Sequence, residues 1–127
     1  MSTSRVTAIL VVHDGATWLP EVVASITSQT RIPDHIIAVD TGSTDSSAKL
    51  LKVARIPTIT LDRSASFGEA VNAALEDIPH VDGVENWIWV LHDDCSFDPH
   101  ALEELLRATD EKLNVAMVGP KLLGWHD

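Results

Sequence analysis

The chain has 127 residues, of which 45% are hydrophobic and 22% charged, a composition typical of one soluble globular domain spanning residues 1–127. Its net charge of −10 argues against binding a nucleic-acid backbone, which selects basic surfaces, although a nucleotide could still bind through a metal cation. The single cysteine, Cys95, excludes an internal disulfide and favours a reducing, cytoplasmic compartment, and no apolar run approaches the roughly 20 residues that span a bilayer.

The first third of the chain predicts a strand, a helix and a second strand. Val6–Val12 is nearly all apolar, as a parallel strand covered on both faces should be. Behind Gly15, apolar side chains recur at i, i+3, i+4 and i+7, which predicts a helix; they are Leu19, Val22, Val23 and Ile26. Ile36–Val39 is the second predicted strand, and it ends at Asp40.

The middle of the chain continues this alternation. Thr41–Asp45 predicts a turn that caps a helix extending to about Ala54, and Pro57–Leu61 predicts a third strand. Ser66 and Glu69 then match a capping box at the start of a helix. That helix places apolar side chains on one face, namely Phe67, Val71, Ala74 and Leu75.

The last third predicts two further strands and one helix. Trp87–Leu91 is the fourth strand, and Asp98-Pro99 marks the start of a helix whose apolar stripe is Leu102, Leu105 and Leu106. Val115–Val118 is the fifth strand, closed by Gly119-Pro120. The resulting order, βαβαβαβαβ, predicts an α/β fold with a mostly parallel sheet, right-handed crossovers and helices on both faces.

Polar side chains follow each of the first four predicted strands. His13 and Asp14 follow the first strand, Asp40 the second, Asp62 and Arg63 the third, and His92, Asp93 and Asp94 the fourth. Parallel sheets bind ligands at the carboxyl ends of their strands, so these side chains are expected at one edge of the sheet. Their repetition favours a ligand site over chance.

The adjacent carboxylates Asp93 and Asp94 are the strongest single signal. They repel each other when partly buried, and a hard divalent cation such as Mn²⁺ or Mg²⁺ resolves that conflict. Because diphosphates need the same cation, a nucleotide-diphosphate site is the leading hypothesis. The alternatives are two solvated acids in a loop, or a zinc site with His92, Asp94 and Cys95, which lacks the usual ligand spacing.

Four ordered segments resemble the N-terminal half of a family 2 glycosyltransferase with the GT-A fold. They are Thr7–Asp14, Ile37–Asp45, Phe67–Asn72 and Trp89–Cys95, and together they span nearly the whole chain. Within them, the Asp-x-Gly-Ser-Thr-Asp sequence at Asp40–Asp45 is the most specific. The resemblance implies a Rossmann-like nucleotide-binding half and the metal-dependent, inverting transfer of a sugar from a nucleotide-diphosphate donor to an acceptor hydroxyl.

The resemblance also implies roles for individual residues. The nucleoside pocket falls on the end of the first strand and on the aspartate after the second strand, namely Val12, His13, Asp14 and Asp40. The family's Asp-x-Asp motif falls on His92–Asp94, with Asp94 as the metal ligand and Asp93 near the ribose or the cation's water. Arg63 is a further candidate, because its planar guanidinium suits a base or a diphosphate.

The donor and acceptor implied by the resemblance are a UDP-type nucleotide sugar and a glycan or lipid-linked hydroxyl. His92 stands where many relatives have the first aspartate, and Asp14 where they often have asparagine. The family's catalytic base falls beyond Asp127, so the chain is expected to be an inactive piece of a longer protein, cytoplasmic or at the inner membrane face.

Other interpretations stay open at this stage. Asp40, Ser43 and Asp45 could serve only as turn and helix caps, and His13 could pack at the strand end without touching a ligand. Among function classes, a nucleotidyltransferase would want a basic, Gly-rich loop after the first strand, which this chain lacks. A receiver-like, non-catalytic binding domain would need its acidic pair after the first strand rather than the fourth.

Overall fold

A computed structural model describes residues 4–112 and 114–124 as an alternation of strands and helices. The strands are β1 (Ser4–Val12), β2 (His35–Thr41), β3 (Thr58–Leu61) and β4 (Glu85–His92). The helices are α1 (Leu19–Thr27), α2 (Ser47–Val53), α3 (Phe67–Glu76) and α4 (Ala101–Glu111). All strand pairs are parallel, so the predicted α/β class is confirmed.

The strand order is β3-β2-β1-β4, which puts β1 inside the sheet between β2 and β4. Val6–Val12 is buried at every position, as its unbroken apolar sequence predicted. The chain runs outward from β1 to β3 and then crosses back to the other side of β1 to form β4. This reversal creates a switch point between β1 and β4, and a crevice forms at the carboxyl ends of strands at such a point.

Helices cover both faces of the sheet, as predicted. Ala8, Leu10 and Val12 belong to the core beneath α1 and α2, whereas Ile9 and Val11 pack in the core beneath α3. This division follows from the period of two along a strand, which sends neighbouring side chains to opposite faces. The face that a strand-end residue occupies therefore decides whether it can reach a ligand on the α3 side.

The predicted fifth strand, Val115–Val118, is not formed: the described residues between α4 and Gly124 have no regular structure. A parallel strand is stable when both of its faces are covered. Met117 lies in the middle of the segment with 88% of its surface exposed, so the described residues leave at least one face of the segment uncovered. The four apolar residues have a composition typical of a strand, but composition does not show whether other elements cover the two faces of the segment.

The helix starts match the predicted caps to different degrees. The Ser66 and Glu69 capping box is formed at the start of α3. α2 begins at Ser47, later than the predicted Asp45, because the Asp45 carboxylate accepts a hydrogen bond from the Ser47 backbone N–H. α4 likewise begins at Ala101 rather than at Pro99.

Gly42 is expected to be essential for the turn after β2. Its φ is +66°, and a Cβ atom there would lie 2.8 Å from the backbone nitrogen of Arg63. Gly42→Ala should therefore lower the free energy of unfolding in urea by about 1–3 kcal/mol or more, through strain and the clash with Arg63. Gly68→Ala is the matched control, since a Cβ there meets nothing within 4 Å. Equal losses for the two variants would contradict this account.

Candidate functional site

A cavity of about 270 Å³ opens at the carboxyl ends of β1, β2 and β4, on the α3 side of the sheet. Its lining combines strand ends with the loop before α3; the residues are Val11, His13, Thr41, Arg63, Ala65, Phe67, His92 and Asp93. The location agrees with the crevice expected at the switch point between β1 and β4. The structure thus brings His13, Arg63, His92 and Asp93 together as the sequence predicted.

Val12 and Asp40 are not brought to this cavity. They are register partners in adjacent strands, and their side chains occupy the sheet face opposite the cavity. Asp40 is only 3% exposed, and its Oδ1 accepts a hydrogen bond from the Ser43 backbone N–H at 3.0 Å, so it shapes the turn. The cavity positions go instead to their neighbours Val11 and Thr41. Strand alternation was the sequence signal that could have found these two residues.

Residues 13–16, which we call the β1 loop, are held by side chains from elsewhere in the chain. Each of the four backbone N–H groups donates to one side-chain oxygen; the acceptors, in loop order, are Asp93, Ser43, Ser47 and Asp45, at 2.8, 3.0, 3.0 and 3.0 Å. Asp14 adopts a left-handed conformation with φ of 49°, which aspartate tolerates better than most residues. The loop is thereby fixed against both the β2 turn and the end of β4.

Arg63 ties the third strand's end to this loop. Its guanidinium donates to Asp14 Oδ2 at 2.6 Å and to the Gly42 carbonyl at 3.0 Å. The hydrogen bond from Arg63, with a second from the Thr44 backbone N–H, holds the pKa of Asp14 far below its usual range. Arg63 is the one Lys or Arg among the residues that line the cavity, and its charge is matched by Asp14.

The ring of His13 is oriented by Thr41. His13 Nδ1 lies 2.9 Å from Thr41 Oγ1 and 3.0 Å from the Thr41 carbonyl oxygen. Because a carbonyl can only accept, Nδ1 is the donor in this contact, and Nε2 lies 3.8 Å from Asp14 Oδ2. The hydroxyl of Thr41 in turn donates to the Val12 carbonyl at 3.3 Å, which keeps the pair in place.

His92, Asp93 and Asp94 form the acidic end of the site. One potential ligand atom from each lies within 4.8 Å of the others, the one such group of three found in the described part of the chain. The His92 ring stacks on Phe67 with centroids 4.7 Å apart, and its Nδ1 lies 3.8 Å from Asp94 Oδ1. Two carboxylates and one imidazole suit Mn²⁺ or Mg²⁺, and the nitrogen ligand favours Mn²⁺ of the two.

Cys95 does not favour the zinc alternative. Burial and the adjacent Asp94 carboxylate raise the pKa of its thiol, whose sulfur lies 3.5 Å from Asp94 Oδ1. A protonated thiol is a poor zinc ligand and a poor nucleophile. Cys95 therefore stays a half-buried neighbour of the acidic cluster.

Comparisons with known proteins identify the class. The model of glycosyl transferase family 2 matches residues 7–122, and the chain belongs to this family. Galactofuranosyltransferase GlfT1 of Mycobacterium tuberculosis is 31% identical across 98% of this chain and 42% of its own length. N-acetylglucosaminyl-diphospho-decaprenol L-rhamnosyltransferase of the same species is 24% identical across 93% of this chain and 41% of its own. The chain thus spans about two fifths of these relatives.

Solved structures show the same fold. Staphylococcus aureus TarS, residues 1–349, superimposes with a TM-score of 0.69 at 15% identity, over 91% of this chain and 38% of that one. Glucosyl-3-phosphoglycerate synthase of Mycobacterium tuberculosis, in complex with Mn²⁺, UDP and glucosyl-3-phosphoglycerate, gives 0.62 at 18% identity, over 82% of this chain and 38% of that one. The Rossmann-like GT-A fold implied by the sequence resemblance is confirmed.

Of the three function classes that the sequence left open, the family match favours the first, the glycosyltransferase. Among the described residues, no helix is both long and apolar enough to cross a bilayer.

The Asp14–Arg63 pair should make stability depend on pH. The folded state lowers the pKa of Asp14 below its ordinary value of 3.8, so the pair stabilises the fold fully above about pH 4 and progressively less as the pH falls further. Arg63→Met should therefore flatten the decline of unfolding free energy between pH 5 and pH 2. Urea unfolding at several pH values measures this slope.

Arg107→Met is the matched control for that slope, because Arg107 pairs with Glu104 on the exposed face of α4, away from the site. An unchanged slope in Arg63→Met would show that the ion pair contributes nothing to acid sensitivity.

Proposed function

We propose that this chain binds the nucleotide diphosphate of a sugar donor together with a divalent cation, as the donor half of an inverting glycosyltransferase. One observation carries the proposal: the His92–Asp94 cluster and the cavity share a single crevice at the carboxyl ends of β1 and β4. A nucleoside in the cavity would have its diphosphate beside the acidic cluster. The inverting course rests on the family resemblance alone, and the anomeric form of the product tests it.

The charges in the crevice support metal dependence. A diphosphate needs compensating positive charge, but the guanidinium of Arg63 is already paired with Asp14. The acidic cluster would repel a bare diphosphate at close range. A cation bound by Asp94, with His92 and Asp93 beside it, would reverse that repulsion and neutralise charge on the leaving nucleoside diphosphate.

The nucleoside end of the donor is assigned to the cavity. The His13 ring lines the cavity there, and Thr41 orients it. Phe67, partly exposed at the start of α3, offers an aromatic wall. A UDP-type donor is favoured because solved TarS structures contain UDP and UDP-GlcNAc, and the glucosyl-3-phosphoglycerate synthase structure contains UDP with Mn²⁺.

The acceptor is proposed to be a glycan or lipid-linked hydroxyl. One relative is named for a decaprenol diphosphate sugar acceptor, which supports the lipid-linked class. A catalytic base must lie within hydrogen-bond reach of that hydroxyl. Asp14 and Asp93 beside the cavity are engaged by Arg63 and His13, so we assign the base to the part of the relatives that this chain does not span.

Metal dependence should reside in Asp94. Calorimetric titration with UDP should show an affinity at least about 10-fold higher with Mn²⁺ than with EDTA, and Asp94→Asn should abolish the difference. Uridine, which lacks phosphates, should bind equally well in both conditions. Asp82→Asn is the matched control, since its fully exposed side chain carries the same charge at a distance from the site. Equal UDP affinity with and without Mn²⁺ would remove the cation from the proposal.

Recognition of the nucleoside should depend on Thr41 rather than on Asp40. Thr41→Val removes the hydroxyl partner of His13 and should weaken uridine and UDP by the same factor, about 5- to 20-fold. Asp40→Asn keeps an oxygen for the Ser43 N–H and should bind both ligands normally. If Asp40→Asn loses uridine while Thr41→Val binds it like the unmodified chain, base recognition belongs to Asp40.

A further inference from the structure

We propose that Asp93 is a positioning residue, whose carboxylate locks the β1 loop against the end of β4 and leaves the cation to Asp94 and His92. This inference rests on the proposed function for its meaning, but the lock itself is a property of the protein without ligands. It gives Asp93 a role different from the ribose or cation-water contact that the family resemblance implied.

The first support is the hydrogen bond between Asp93 and the loop. Asp93 Oδ2 accepts from the His13 backbone N–H at 2.8 Å. Regular pairing between β1 and β4 ends at Val11 and His92. The His13 N–H lies beyond that point and would otherwise lack a partner from β4. A side chain thus extends the link between the two strands where backbone pairing has stopped.

The second support is the close approach of Gly15. A Cβ atom at Gly15 would lie 2.5 Å from Asp93 Oδ2 and 2.8 Å from its Cγ, so the carboxylate rests directly on the loop backbone. Gly15 is itself fixed, because its N–H donates to the buried Ser47 and its carbonyl accepts from Leu19 at the start of α1. Neither partner can move aside without breaking other contacts.

The contrast with Asp94 gives the third support. Asp93 is half-buried with one oxygen committed to the loop, whereas the side chain of Asp94 is 61% exposed. The contacts of Asp94 are a 3.8 Å approach to His92 and a thiol contact from Cys95. Asp94 can therefore turn toward a cation at little cost. Asp93 sets the distance between that cation and His13 at the nucleoside end.

Amide hydrogen exchange tests the lock in the absence of metal and nucleotide. Asp93→Ala should speed exchange of the His13 amide by about 10- to 100-fold, the effect expected for losing a hydrogen bond to a charged group. Asp93→Asn should restore most of the protection, because its amide oxygen can still accept. Asp94→Ala, the matched control, should leave the His13 amide unchanged. Unchanged exchange in Asp93→Ala would overturn the proposal.

Ligand binding then separates positioning from metal ligation. Asp93→Asn should keep the dependence of UDP affinity on Mn²⁺, whereas Asp94→Asn should lose that dependence. Asp93→Ala should weaken uridine and UDP alike, since the displaced element is the loop that carries His13. If Asp93→Asn loses Mn²⁺ dependence as completely as Asp94→Asn while the His13 amide stays protected, Asp93 is a cation ligand and the proposal fails.

Gly15→Ala alone tests the lock if Asp93→Ala folds poorly, and a double-mutant cycle adds a second test if Asp93→Ala folds. Gly15→Ala should by itself accelerate exchange at His13, because its Cβ displaces the Asp93 carboxylate. When Gly15→Ala is combined with Asp93→Asn, the clash remains. When it is combined with Asp93→Ala, the clash is largely relieved, so the effects of Gly15→Ala and Asp93→Ala on His13 exchange should be strongly non-additive. Additive effects would contradict the contact. Failure of the unmodified chain to bind UDP would instead refute the proposed function and leave the exchange results standing.

Discussion

The arrangement of the site depends on satisfying four consecutive backbone N–H groups where β1 stops being a strand. A loop that leaves a sheet loses the strand partners of its N–H groups, and side chains from other segments can replace those partners. Here the partners come from two different segments: Asp93 at the end of β4, and Ser43, Asp45 and Ser47 around the β2 turn. Because one short loop takes acceptors from both sides, the ends of β4 and β2 hold a fixed relation to each other.

The same constraint explains why the crevice is electrically balanced rather than basic. Asp14, in its left-handed conformation, turns its carboxylate toward the Thr44 N–H and the Arg63 guanidinium. Arg63 thus fastens the loop before α3 to the β1 loop and has no charge left over for a ligand. The chain charge of −10 and the acidic cluster beside the crevice are the basis for proposing that a phosphate-bearing ligand brings a cation with it. The pairing of Arg63 with Asp14 therefore both fixes the β1 loop and leads to the cation requirement proposed for the site.

The sequence predicted the type and order of eight elements because their periodicity was long and unambiguous. It failed for one short apolar segment: Val115–Val118 has the composition of a strand, but the exposure of Met117 shows that the described residues leave at least one face uncovered. The family resemblance implied that Val12 and Asp40 line the nucleoside pocket, whereas the observed cavity opens on the other face of the sheet. The structure places them on the opposite face because a shift of one residue along a strand reverses the direction of the side chain.

What the sequence determined by itself is the local chemistry: a buried central strand, a capping box at Ser66 and Glu69, and histidine and carboxylate groups after the strands. These follow from neighbours within a few residues. Only the tertiary structure decided which of these groups meet: Asp93 with His13 and Gly15, Arg63 with Asp14, and Phe67 with His92. Such pairs join residues 25 to 80 positions apart, and their distances depend on strand order and on the packing of β1 between β2 and β4. A local sequence pattern cannot show which of these residues meet, because in another fold the same residue types would serve as ordinary loop or cap residues.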